Sequence, residues 1–376
     1  MALSKIESGL IADNSVIGGT TATINGLTPQ ASNLQPFNRI INGAMTIDQR
    51  NAGIEVTNIA GNVYTLDRWQ ANGDQASKFT IQQNAGSVTP PVGFINYLGI
   101  TSSSAYSVGA AESFVIRQKI EGLNVADLGW GAAGAATVTL SFWVRSSLTG
   151  TFGGSISNSA RNRSYPFSYT ISTANTWEQK SVTIAGDTTG TWLTTTGIGI
   201  EIDFGLGVGT TYSSTAGSWS GATYISATGA TSVVGTSGAT FYITGVQLEA
   251  GSTASPFAHE NYSDTLRKCQ RYYLQYEGFV AGTYATNAAA TSVNFPVQMR
   301  ASPTVSASNP INISQPGVAD HVQSSANATI YGGTRVSQNG CAINMANFSG
   351  LTSTIPYVHN INFNGVFNAL IFSAEL

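Results

Sequence analysis

The stretch Gly197-Ile-Gly-Ile-Glu-Ile-Asp-Phe204 decides the fold class. Its apolar residues alternate with Gly, Glu and Asp, so Ile198, Ile200, Ile202 and Phe204 share one face of an extended chain. Glu201 and Asp203 take the opposite face, where they are expected to be solvated. The same period of two recurs in Thr137-Val-Thr-Leu-Ser-Phe-Trp-Val144, which places Val138, Leu140, Phe142 and Val144 together. In Trp177–Ile184, Val182 and Ile184 oppose Ser181 and Thr183, and Phe241–Leu248 is a further run of this kind. Residues 112–130 read as a strand followed by one turn of helix. Gly- and Ser-rich loops separate the runs. The stretch 205–238 is too long for an ordinary connection and is expected to carry a hairpin or a functional excursion. About eight such strands specify a two-sheet antiparallel sandwich of jelly-roll topology over 37–260.

One short helix interrupts the β pattern. Ser263 suits its N-cap, and Leu266, Cys269 and Tyr273 follow near helical spacing. Tyr272–Tyr276 already reads as strand again, so the helix is confined to a linker at 261–270. Thr291–Met299, Ala328–Tyr331 and Phe363–Phe372 then give the strands of a second, smaller sandwich over 271–376. Pro296 interrupts the first of these and marks an edge strand or a bulge. Residues 1–36 hold only short apolar triplets broken by Gly and Asn. They are expected to form an extended N-terminal arm that pairs with another chain. No fixed-period repeat is present, which disfavours a solenoid. The fold class is therefore all-β.

Composition narrows the function. Of 376 residues only 9% are charged, against about 25% in an average soluble domain. The surface must be covered by Ser, Thr, Asn, Gln and Gly, a neutral hydrogen-bonding coat suited to saccharide or to identical subunits. A net charge of −3 without basic clusters gives no field for nucleic acid. No apolar run approaches the roughly 18 residues of a spanning helix, so membrane insertion is not expected. The N-terminus reads as mature sequence without a signal peptide. Cys269 and Cys341 are expected as buried free thiols.

Several segments carry candidate chemistry. Asn162, Arg163 and Tyr165, in the polar loop Arg161–Phe167, offer planar donors and a stacking ring suited to saccharide. Trp192, Tyr212, Trp219 and Tyr224 stand in Gly/Ser/Thr-rich sequence with little nearby to pack on. They suit glycan stacking or a subunit interface. Asp67-Arg68-Trp69 could form a ligand platform, but Trp69 as a core anchor with Arg68 paired to a carboxylate is the better reading. Hydrolysis of a glycan needs two carboxylates at set separation. Glu201 and Asp203 are the nearest approach to such a pair, and no catalytic residues are expected. His259, His321 and His359 have no partners at metal spacing, so no metal site or cofactor is expected. A structural calcium ion held by loop oxygens stays open.

Three segments are similar to known ones. Asn38–Arg50 (NRIINGAMTIDQR), Tyr64 with Asp67-Arg68-Trp69, and Ile243–Glu249 with Pro256-Phe257 and Cys269-Gln-Arg-Tyr-Tyr273 resemble segments of tail-fibre and related appendage proteins of tailed bacteriophages. Ala44-Met45 stand where such proteins often carry an aromatic. The resemblance implies a jelly roll like that of carbohydrate-binding modules, a homotrimer, and residence in the virion after synthesis in a bacterial host. On that basis the chain is expected to be a structural and adhesive part of a phage particle. Residues 1–36 would dock to another virion protein, and a host-surface polysaccharide would be the ligand. Two alternatives stay open: a capsid decoration or head fibre without receptor role, and a glycan-degrading appendage enzyme.

Overall fold

Alternating apolar residues become strands because one face of each can be buried against a second sheet. The computed structural model describes residues 38–314, 320–322, 336–352, 355–359, 362–363, 366–367 and 369–376. The arm expected over 1–36 and the strand expected at Ala328–Tyr331 lie outside the described residues. In chain order the first strands are β1 (Gly61–Tyr64), β2 (Gln70–Gly73), β3 (Phe79–Gln83), β4 (Leu98–Ser102), β5 (Ser113–Glu121), β6 (Val138–Ser146), β7 (Gly150–Ser157), β8 (Ser164–Ile171), β9 (Glu178–Ile184), β10 (Ile198–Val208), β11 (Ser213–Ser214), β12 (Ser226–Ala227) and β13 (Thr240–Ala250). Two antiparallel sheets form a jelly-roll-like sandwich. One has six strands in the order β1-β2-β5-β10-β7-β8, and the other has five in the order β3-β4-β13-β6-β9.

Between the sheets lies a core that includes Phe114, Ile116, Ile200, Ile202 and Phe204 from one and Leu98, Ile100, Leu140, Phe142 and Leu248 from the other. Strand β10 departs from strict alternation. A register shift between Ile198 and Ile200 turns Ile198 away from the core face predicted for it. A second shift, between Thr244 and Gln247 of β13, centres on Gly245. Its φ is +60° and a Cβ there would lie 2.6 Å from Phe94 Cζ, so only glycine fits. The long stretch after β10 is an excursion and not a hairpin. Its two short strands, β11 and β12, pair in parallel.

The linker helix α1 spans Tyr262–Gln270, its N-cap two residues earlier than expected. Asn261, and not Ser263, is the extended residue at its N-cap, and the Asn261 carbonyl accepts from the amides of Asp264 and Thr265. Ser263 already lies in the first turn. The C-terminal strands are β14 (Tyr273–Tyr276), β15 (Val280–Ala285), β16 (Ala288–Asn294), β17 (Thr304–Ala307), β18 (Asn312–Ser314), β19 (Asp320–Val322), β20 (Gly340–Ala346), β21 (Pro356–His359), β22 (Asn362–Phe363), β23 (Val366–Phe367) and β24 (Leu370–Ser373). They form sheets of order β14-β24-β17 and β19-β18-β21-β15-β16-β20, plus the pair β22-β23. A second core gathers Phe279, Ile313, Ile343, Tyr357 and Phe372. Pro296 does not interrupt a strand: β16 ends at Asn294, and β16 is internal, between β15 and β20, where a residue without an N–H would break the ladder. Cys269 and Cys341 are buried free thiols.

Candidate functional site

Alternation on β10 sends Glu201 and Asp203 to the outer face of the six-stranded sheet, but not into solvent. They are 3% and 1% exposed, which corrects the expectation of a solvated pair. Pairing across the sheet explains why. Arg117 of β5 sits opposite Asp203 and Lys119 opposite Glu201. Gln70 of β2 sits opposite Arg117, and Ser155 and Ser157 of β7 face Asp203 and Glu201 from the other side. The outer face is therefore a polar ladder running across four strands.

Its guanidinium groups are paired with its carboxylates. Arg117 Nε donates to Asp203 Oδ1 at 2.8 Å and Nη1 to Asn62 Oδ1 at 3.2 Å. Arg161 closes on the Glu201 carboxylate, and Lys119 Nζ donates to the Leu376 carbonyl at 2.9 Å. Arg161 occupies a left-handed conformation with φ 53°. The turn that aims it at Glu201 is held by Asn158, whose carbonyl accepts from Arg161 N at 3.0 Å. Burial raises the Glu201 carboxyl above the usual carboxylate range, and the Asp203 charge adds to this.

The excursion after β10 covers part of the face. Thr223 Oγ1 donates to the Arg161 carbonyl at 2.8 Å, and Ser164 Oγ donates to the Ala222 carbonyl at 2.6 Å. The approach is close: a Cβ on Gly153 of β7 would lie 2.3 Å from Ser226 Oγ, so β7 is glycine there. Between excursion and sheet remains a cleft of about 430 Å³, lined by Asn62, Asn72, Arg117, Arg161, Glu201 and Tyr212 among others. Ile198, displaced from the core by its bulge, also lines it. On this face Gln70 Oε1, Asn72 Oδ1, Ser155 Oγ, Ser157 Oγ and, from the excursion, Ser226 Oγ are buried without a hydrogen-bond partner. Leaving such atoms unpaired costs about 1–3 kcal/mol each. Of these five residues only Asn72 lines the cleft itself, and its unpaired acceptor suits water or a hydroxyl-bearing ligand.

The seven residues singled out from sequence divide, and Tyr224 lies on the excursion, its amide donating to Ser164 Oγ at 3.1 Å. Tyr212 lines the cleft. The other five gather at a separate place, around an aromatic cluster. Trp192 and Trp219 meet Trp130 edge-to-face at 4.7 and 5.4 Å, and each other at 5.5 Å. Tyr165 adds to Trp219 at 5.3 Å. Arg163 is held by Asp187 through two bonds of 2.7 Å, and Asn162 Oδ1 accepts from Asn158 at 2.8 Å. The indole N–H groups are satisfied: that of Trp219 by the Ala185 carbonyl at 2.8 Å and that of Trp130 by the Ala136 carbonyl at 2.7 Å. Trp130, distant in sequence, is the packing partner that local composition did not show. The cleft residues Asn72, Arg117 and Arg161, and Gln70 opposite Arg117 on the sheet, were not singled out. The signal for them was Glu201 and Asp203 on one strand face, which marks a polar row only once the neighbouring strands are known.

Asp67-Arg68-Trp69 proves to be a turn between β1 and β2, with Arg68 at φ 71°, and not part of a strand. Trp69 is buried and donates to the Asn42 carbonyl at 3.0 Å. Arg68, also buried, lies 3.6 Å over the Tyr272 ring and pairs with Glu375. Arg50 reaches Glu375 at 2.6 Å and stacks 3.6 Å over Tyr273. Arg271 and Tyr272 both bind Glu121, at 2.6 and 2.7 Å. Parts of the three resembling segments, Arg50, Arg68 and Arg271–Tyr273, thus meet between the two sandwiches. Among the described residues no group of three or more His, Cys, Asp or Glu comes together as a metal site, and no helix is long and apolar enough to cross a membrane.

No protein-family model matches the chain, and no curated protein does. Solved structures similar to it are remote. The enzymatically active domain of tailspike protein 4 of bacteriophage CBA120 is 13% identical, with a TM-score of 0.33; the match covers 57% of this chain and 21% of that one. The chain thus spans about a fifth of that tailspike structure. TmCBM61 in complex with β-1,4-galactotriose is 12% identical over 57% of this chain and 99% of that one, with a TM-score of 0.29. A family 11 carbohydrate-binding module from Clostridium thermocellum, in complex with a mixed-linked tetrasaccharide, is 9% identical over 56% and 100%, with a TM-score of 0.25.

Proposed function

We propose that this chain is an adhesive structural component of a tailed-phage particle, a tail fibre or similar appendage, whose first sandwich binds host-surface glycan in the cleft over the six-stranded sheet. The observation that carries the binding half is the row of buried polar atoms without partners beside an open cleft. Sugar hydroxyls donate and accept in the same way as the water they would displace. Tyr212 supplies a ring for a pyranose face. The appendage half rests on the resemblance of three segments, parts of which meet at one joint.

The cleft is read as binding without cleaving. Glu201 in it is held by the Arg161 guanidinium and the adjacent Asp203 by that of Arg117, while Asp74 accepts from Ser113. A general acid must give its proton to the leaving oxygen and needs freedom to do so. Weak single sites suit a fibre, because several copies on one particle multiply the effect. The chain is expected as a homotrimer in the virion, attached to another virion protein through residues 1–36. Sedimentation of the purified chain as a dilute monomer would remove the trimer. A glycan array tests the binding: retention of host polysaccharide without release of reducing ends is expected. An array with no retained glycan, or release abolished by Glu201→Gln, would contradict this function.

A further inference from the structure

The charges in the cleft neutralise each other, and this decides what kind of saccharide it takes. Arg117 is engaged by Asp203 and Asn62, Arg161 by Glu201, and Lys119 by the Leu376 carbonyl. Asp74, which also lines the cleft, adds a carboxylate, with Oδ2 accepting from Ser113 N at 2.6 Å. Every cation lining the cleft therefore has a partner. The groups on this sheet face that lack one are neutral: the amide oxygen of Asn72 in the cleft lining and, outside that lining, the amide oxygen of Gln70 and the hydroxyls of Ser155, Ser157 and Ser226. All five belong to residues at most 8% exposed, on or against one sheet face. Two of the five atoms are pure acceptors, and three are hydroxyls that donate or accept. An anionic ligand drawn to either guanidinium would have to break the Arg161–Glu201 or Arg117–Asp203 pair and leave a buried carboxylate without a counter-ion, and the Lys119 charge, bonded to Leu376 O, is already balanced through space by Glu201 and Asp203. Breaking a buried pair costs more than a new hydrogen bond at its edge returns.

We infer that the cleft selects an uncharged, hydroxyl-rich oligosaccharide and rejects glycans bearing carboxylate, sulfate or phosphate. This rests on the glycan-binding function proposed above and adds the ligand's charge class. The donor the cleft calls for is a sugar O–H group aimed at Asn72 Oδ1. The pyranose ring lies toward Tyr212. Binding that uses no ion pair with the ligand is insensitive to salt.

The test uses the full chain and calorimetric titration with two probe sets of matched length: neutral gluco- and galacto-oligosaccharides, and oligouronates. The expected result is binding within the neutral set, no measurable binding of the uronates, and less than about a twofold change in Kd between roughly 50 and 500 mM sodium chloride. Asn72→Ala is expected to weaken neutral binding by about fivefold, the effect of one lost hydrogen bond to the ligand. Tyr212→Ala is expected to weaken it as well, and both variants should retain the wild-type circular dichroism spectrum. Binding of oligouronates in preference to the neutral set, or strong weakening by salt, would overturn the charge selection while leaving glycan binding intact. Binding of neither set would overturn both.

Discussion

At the scale of single residues, buried charge is the feature that most shapes this protein. Arg68 is 1% exposed, and its counter-ion Glu375 comes from the far end of the chain. Glu375→Gln leaves the guanidinium buried without a matching charge and is expected to cost about 3–5 kcal/mol, read as a lower urea midpoint. Asp67 behaves differently. Burial, opposed by Arg50 and Gln49, pushes its carboxyl up to about 7. The folded chain therefore holds a proton that the unfolded chain releases above about pH 4. That contribution to stability is complete below pH 4, falls as pH rises toward 7, and is flat above. Asp67→Asn carries no such slope, so the stability of wild type relative to the variant is expected to decline between about pH 4 and 7. Denaturation curves at several pH values check this, and a constant difference would contradict it. Gly43 gives a steric counterpart. A Cβ there would lie 2.1 Å from the Val246 carbonyl oxygen, so Gly43→Ala is expected to destabilise by roughly 1–3 kcal/mol, visible in the melting temperature.

At the scale of elements, the period of two in β6 and β10 was readable because each strand buries one face. Val138, Leu140, Phe142 and Val144 all enter the core as expected. What escaped reading are places where the backbone changes parity or a distant segment intervenes. Ile198 follows the apolar pattern, yet a bulge turns it into the cleft. Glu201 and Asp203 look solvated on their own strand and are covered by Arg117, Arg161 and the excursion. Trp192 and Trp219 look isolated and pack on Trp130. Asp67-Arg68-Trp69 is legible as a core anchor with an ion pair, but not as a joint, because Glu375 is over 300 positions away in the chain. The joint also makes a prediction of its own. Arg271 and Tyr272, just past α1, clamp Glu121 at the end of β5. Arg271→Ala together with Glu375→Gln is expected to split one calorimetric transition into two, as each core then unfolds by itself. A single unshifted transition would argue against the clamp.

At the scale of the whole molecule, division of labour follows from where charge is placed. A chain with 9% charged residues keeps a large share of them in two buried clusters: one fixes the second sandwich to the first, and one floors the cleft. The rest of the described surface is sparse in charge, which fits the saccharide binding proposed for the cleft. The tryptophan cluster and the cleft are rival places for a ligand, and one measurement separates them. Affinity for a retained neutral oligosaccharide should be compared in Tyr212→Ala, Asn72→Ala and Trp219→Ala, each with its melting temperature. The cleft predicts binding weakened by about fivefold or more in the first two with little loss of stability, and near-normal affinity but a lower melting temperature in the third. Affinity lost only in Trp219→Ala, with Tyr212→Ala and Asn72→Ala binding as wild type, would contradict it.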